Sequence, residues 1–105
     1  MTKRTKTQLR DHAEIFKALA HPSRILIIEA LARGKHCVNE LTEMIGSDMS
    51  TVSRHLAQLR NVGLIRDEKV GLQVFYELRC KCVLKFLDCV EKVTAERFET
   101  ACECR

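Results

Sequence analysis

Apolar residues recur along the chain at helical spacing in successive stretches, broken once by a stretch that alternates. Leu9, Ala13, Phe16 and Ala20 line one side of residues 8–19, with Arg10, Asp11, Glu14 and Lys17 between them, which predicts an amphipathic first helix. Pro22 stands just ahead of Ile25, Leu26, Ile28 and Leu31, at the first-turn position where a missing N–H does no harm. Gly34 closes this second helix after about Arg33. The pattern restarts with Val38, Leu41, Met44 and Ile45. Glu40, three residues after Cys37, has the spacing of a capping box with a thiol in place of the usual hydroxyl. After Gly46, Ser47 is the expected N-cap of a fourth helix running to about Gly63. Its apolar face is Met49, Val52, Leu56 and Leu59, and its polar stripe is Thr51, Arg54, His55 and Gln58. Leu64 to Lys69 and Gln73 to Leu78 flank Val70-Gly71-Leu72, and the alternation of Val74, Tyr76 and Leu78 against Phe75 and Glu77 predicts a hairpin. Val83, Phe86, Leu87, Val90 and Val93 form a fifth helix with more apolar surface than a small domain covers alone, so it is expected to pack on its copy in a dimer.

This order predicts a mainly α winged helix-turn-helix, with the hairpin as the wing and the first and last helices forming the dimer interface. A short turn at Gly46-Ser47-Asp48, followed by a helix with small polar and bidentate side chains outside, is the layout of a recognition helix in a major groove. Arg54 suits guanine O6 and N7, and Gln58 suits adenine. Ser50, Thr51 and Ser53 are short enough to reach phosphates or base edges, and His55 suits either. Lys69 and Gln73, beside the wing turn, would reach an adjacent backbone or minor groove. Helix-turn-helix, hairpin and basic charge agree independently, which outweighs reading the stripe as a merely solvated face.

The chain has 105 residues, with 18 Lys and Arg against 14 Asp and Glu. The excess begins at Lys3, Arg4 and Lys6, and suits an anionic partner such as double-stranded DNA. Nothing divides the chain, so one domain is expected over 1–105, with a basic tail over 1–7 and a cysteine-containing tail over about 99–105. No apolar run reaches the roughly 18 residues of a membrane span, and no signal-like segment follows the polar start, so a cytoplasmic protein with no membrane partner is expected. A thiol enzyme is disfavoured: there is no Cys-x-x-Cys in a strand–helix setting, no visible triad and no glycine-rich phosphate loop.

Six cysteines remain, at 37, 80, 82, 89, 102 and 104, and in such a chain they are expected as thiols available for metal or redox chemistry. Sulfurs that share a zinc ion each lie roughly 2.3 Å from it. Cys80 and Cys82 flank Lys81 where strand gives way to helix and can converge as a chelating pair. Cys89 follows Cys82 on the same helical face but about 10 Å further along the axis. Cys89 therefore joins that pair only from a second subunit or by local unwinding. Cys37 reads as a partly buried helix cap. Cys102 and Cys104 could be a further ligand source, a redox pair or a tail. His12, His21 and His36 read as a surface residue, a helix cap and a loop residue.

Phe16-Lys17-Ala18-Leu19-Ala20-His21-Pro22-Ser23-Arg24-Ile25-Leu26, Cys37-Val38-Asn39-Glu40-Leu41, Ser50 through Arg60, Gly63-Leu64-Ile65 and Gly71 through Leu78 together resemble the ArsR/SmtB family of metal-sensing repressors, over roughly residues 9 to 95. The resemblance implies a dimeric winged-helix repressor that binds an imperfect palindrome and leaves it when an inducer binds. It implies DNA contacts at Ser50, Ser53 and Arg54. Cys80 and Cys82 fall where zinc sensors of the family carry Asp and His, so the resemblance implies a softer site there. DNA binding would need no cofactor. The inducer would be arsenite, antimonite or a soft divalent ion such as cadmium, lead or zinc. The helix-three arsenic motif Cys-Val-Cys is broken here as Cys37-Val38-Asn39, with Thr42 where a third cysteine can stand. A second reading keeps the fold and makes the input thiol oxidation or persulfide formation at Cys80, Cys82 or Cys89.

Overall fold

Thr5 and Gln8 cap each other at the start of helix α1 (Lys6–Leu19). Thr5 Oγ1 accepts from the Gln8 N–H at 3.2 Å, and Gln8 Oε1 accepts from the Thr5 N–H at 2.8 Å. This box starts the helix at Lys6, two residues earlier than the pattern suggested, and shortens the N-terminal tail. The computed structural model describes residues 3–103, with side chains described for 3–97. Helix α2 (Pro22–Ala32) has proline in its first turn and His21 as N-cap, whose Nδ1 accepts from the Ser23 N–H at 3.1 Å.

Strand β1 (His36–Cys37) follows and leads directly into helix α3 (Val38–Ile45), where Glu40 Oε1 accepts from the Cys37 N–H at 3.0 Å. That contact holds the Glu40 carboxyl below its ordinary range. Gly46 ends α3 in the left-handed region at φ +82°, and helix α4 (Met49–Asn61) starts after the bend. The N-cap is Asp48, in extended backbone with its carboxylate accepting from the Thr51 hydroxyl, and not Ser47 as expected. Met49 is 48% exposed rather than part of the apolar face, because the first turn of α4 projects past the core.

Strands β2 (Ile65–Val70) and β3 (Gln73–Leu78) form the hairpin, pairing Ile65 with Leu78 and Val70 with Gln73 around a two-residue turn in which Gly71 takes φ +65°. The sheet has a third member: β1 pairs antiparallel with β3, His36 opposite Tyr76, giving the order β1-β3-β2. His36 is thus a half-buried strand residue rather than a loop residue. Helix α5 (Cys82–Glu103) closes the chain. It runs through the residues expected as a tail from 99, since Ala, Glu and Arg over 95–97 favour helix and no Gly or Pro stops it. Cys102 falls on this helix, with its side chain outside those described, and Cys104 lies outside the described residues.

Ile27 and Ile28 from α2, Leu41 from α3, Val52, Leu56 and Leu59 from α4 and Ile65 from β2 are completely buried together. Val83 joins this core from α5, and Leu84 and Leu87 pack against it. The other side of α5 leaves Phe86, Val90 and Val93 exposed, beside exposed Leu9 and Phe16 of α1, and Phe16 meets Phe86 edge-on with ring centres 5.4 Å apart. Among the described residues no helix is long and apolar enough to cross a membrane. This is the winged helix-turn-helix the pattern predicted, with an extra short strand.

Candidate nucleic-acid interface and exposed thiols

Helix α4 presents its apolar residues to the core at positions 52, 56 and 59, so the opposite side is left for a partner. Ser50, Ser53 and Arg54 are exposed there. Thr51 is half-buried and its hydroxyl is engaged by Asp48, a contact that lowers the Asp48 pKa. Gln58 is exposed one turn beyond Arg54, where it borders a cleft with Glu14 and Lys17 of α1.

His55 does not stand with them. It is only 6% exposed, and its Nδ1 accepts from Arg24 Nε at 2.9 Å. Position 55 lies three residues after Val52 and four before Leu59, which rotates it onto the core side of the helix, so a direct DNA contact by His55 is corrected to a structural one.

The charges on the wing divide into two groups. Arg60 of α4 pairs with Asp67 of β2 at 3.1 Å, Arg66 pairs with Glu77 across the hairpin, and Lys35 reaches Glu68 at 3.2 Å. These cations are neutralised by protein carboxylates. On α4 and the hairpin strands, Arg54 and Lys69 have no such partner among the described residues, which leaves their charge available for phosphate or base edges. Lys69 and Gln73 are both exposed, and Val70 and Leu72 carry the wing tip fully into solvent.

The thiols are separated by burial. Cys37 is buried and caps α3, while Cys80, Cys82 and Cys89 are exposed and free. Cys82 opens α5, Cys80 sits two residues before it after the end of β3, and Cys89 lies two turns along α5. Among the described residues no three His, Cys, Asp or Glu side chains converge in a way that would hold a metal ion. Cys80 and Cys82 thus stand two residues apart at the β3–α5 junction, and Cys89 seven residues further along α5. Pattern reasoning missed the Arg24–His55 and Arg60–Asp67 contacts. The second had a local signal, opposite charges seven residues apart across the α4–β2 turn; the first had none.

Residues 21–67, from the cap of α2 to the middle of β2, match the model of a family described as bacterial regulatory protein, arsR family. The chain is 40% identical over 76 residues to the HTH-type transcriptional regulator NmtR of Mycobacterium tuberculosis, covering 72% of this chain and 63% of that one. It is 42% identical over 65 residues to the arsenic resistance transcriptional regulator ArsR1 of Pseudomonas putida, covering 61% and 51%. It is 35% identical over 80 residues to the uncharacterized HTH-type transcriptional regulator MJ1325 of Methanocaldococcus jannaschii, covering 72% and 90%. The match thus spans half to under two thirds of several of these curated relatives. Among solved structures, Rv0081 of M. tuberculosis superimposes with a TM-score of 0.81 at 30% identity, covering 92% of this chain and 98% of that one. The homodimeric winged helix-turn-helix DNA-binding domain of Mb0332 from Mycobacterium bovis, a possible ArsR-family regulator, gives 0.77 at 26% identity and covers 94% of both.

Proposed function

Because the chain belongs to the arsR family of bacterial transcriptional regulators, we propose that it is a homodimeric repressor that holds an imperfectly palindromic operator and lets it go when its exposed thiols bind an inducer. The observation that carries the DNA-reading half is the exposed Ser50, Ser53 and Arg54 on α4, with an unpaired Lys69 at the wing turn. The dimer is supported by the uncovered apolar residues of α1 and α5, Phe86, Val90 and Val93 among them.

The sensing half rests on Cys80 and Cys82, exposed two residues apart where β3 gives way to α5, with Cys89 contributed by the second copy. Among the described residues of one chain no three donors converge, which supports a site completed where two α5 helices meet. Three thiolates suit arsenite, antimonite or a soft divalent ion such as cadmium, lead or zinc. Such a ligand releases DNA only if it binds the weakly binding form more tightly than the tightly binding one. The double variant Cys80→Ser/Cys82→Ser should bind a duplex selected by the protein from a random-sequence library as well as the parent does, yet no longer be released by arsenite or cadmium. Full release of that variant would overturn the assignment.

A second reading is favoured by the same exposure: three free thiols open to solvent can be oxidised by a peroxide or converted by a polysulfide. Release measured under strict reduction separates the two. Arsenite or cadmium acting with reductant present excludes the redox input, and release by oxidant or polysulfide alone excludes the metal.

A further inference from the structure

Behind the DNA-facing side of α4, one guanidinium and two imidazoles join three helices. Arg24 of α2 donates through Nε to His55 Nδ1 of α4 at 2.9 Å and through Nη1 to the Ala18 carbonyl of α1 at 3.2 Å. The His21 ring covers His55, with ring centres 4.4 Å apart. We propose that Arg24, His21 and His55 form a proton-sensitive clasp that positions the recognition helix, so that a proton taken up by His55 loosens α4 and weakens operator binding. This rests on the reading of α4 as the DNA-contacting helix.

The hydrogen bonds fix the protonation states. Arg24 has only donors, so His55 Nδ1 must offer a lone pair and the ring must carry its one proton on Nε2. His21 Nδ1 is likewise an acceptor, from the Ser23 N–H that begins α2. A second proton on either ring turns that acceptor into a donor facing another donor. On His55, itself buried, it would also set a cation against the half-buried Arg24 guanidinium.

The charged groups that act on His55 all hold it neutral. His21 and Arg24 face His55 from the α2 side and Arg54 from its own helix. At α1 the cleft beside Arg24 holds Glu14 and Lys17, which pair with each other at 3.7 Å. No carboxylate contacts His55 among the described residues. Burial is the largest cause holding the His55 pKa below its ordinary 6.5, and the nearby His21, Arg24 and Arg54 add to it.

The sign follows from linkage. A histidine kept neutral by its surroundings binds fewer protons than the same histidine in a loosened helix, so the clasp is at full strength above about pH 6.5 and weakens as the pH falls below it. Arg54 is the next residue on α4, so a shift of the His55 turn moves the guanidinium that faces DNA.

The test compares the full-length parent with His55→Asn, whose Oδ1 takes roughly the place of Nδ1, still accepts from Arg24 and does not titrate. Binding to a fluorescein-labelled duplex selected by the protein from a random library is measured at fixed ionic strength. The parent should bind at least about threefold more weakly at pH 5.5 than at pH 7.5, because His55 is held neutral in the clasp and takes up a proton once the helix loosens. The variant should change by less than about twofold. A variant that weakens as the parent does, or a parent indifferent to pH, overturns the clasp. Should His55→Asn fail to fold, imidazole nitrogen shifts of the parent decide. An Nε2–H tautomer at pH 7.5 with α4 amides moving as His55 titrates supports the clasp, and a charged His55 at that pH or unmoved α4 amides overturn it. If no duplex is selected at any pH, the DNA-reading assignment fails while the nitrogen shifts still judge the clasp.

Discussion

Arg54 and Lys69 carry the same charge into different tasks. Arg54 projects from the exposed side of a rigid helix and has the fork geometry that guanine O6 and N7 accept, whereas Lys69 is a point charge beside a turn. Arg54→Ala should therefore cost about 1–3 kcal/mol of operator affinity and relax discrimination at one base position per half-site. Lys69→Ala should weaken all duplexes alike and reduce the salt slope by about one. Fluorescence anisotropy across single-base variants and a salt series distinguishes the two patterns; a Lys69→Ala effect confined to one base would contradict the division. The exposed placement of both residues was legible in the sequence. His55 was not, because positions 51, 54, 55 and 58 obey the same helical spacing as 52, 55, 56 and 59, so residue 55 belongs to both stripes. What decides its side is Arg24, 31 residues away in the chain.

At the scale of elements, periodicity revealed α3, α4 and the hairpin through residues buried in a common core, and α1 and α5 largely through apolar sides that stay uncovered among the described residues. A two-residue strand shows no period, so β1 is visible only through its pairing with Tyr76 and Phe75 of β3. The start of α4 likewise turned on the bend before it. Gly46 takes φ +82° there, and a Cβ added to it would meet nothing within 4 Å, so substitution costs backbone strain and no clash. Gly46→Ala should lower stability by about 1 kcal/mol, and Gly46→Asn by less, since Asn tolerates the left-handed region. A shift of the urea midpoint at constant m-value measures this. Equal loss in both variants would point to packing instead. That Cys80 and Cys82 fall where β3 gives way to α5 was equally readable from sequence. Whether Cys89 faces it from a second copy depends on helix packing that no spacing within one chain encodes.

The described chain has a radius of gyration of 16.3 Å, against about 13 Å for a compact chain of this length. Much of the difference is α5, a 22-residue helix whose outer apolar side has no cover within the chain. Val93 is 63% exposed and touches nothing in the core, so Val93→Glu should leave the helix-turn-helix folded. In a dimer formed through α1 and α5 it would bury a charge without a partner. Sedimentation equilibrium should then shift toward monomer and operator affinity should fall at least about tenfold, with unchanged helical circular dichroism. A Val93→Glu protein that still sediments as dimer would move the interface elsewhere.

The ion pair between Arg60 and Asp67 has a wider consequence. Leu59 and Ile65, on either side of the same turn, share one core, so α4 and the base of the wing are tied together as one unit, the proposed reading head. In the proposed dimer, two such heads joined by a helical seam would behave like calipers, engaging both half-sites only when their gap matches the roughly 34 Å repeat of the double helix. Opening the jaws by a few ångströms would free one head while leaving each as able as before to hold an isolated half-site.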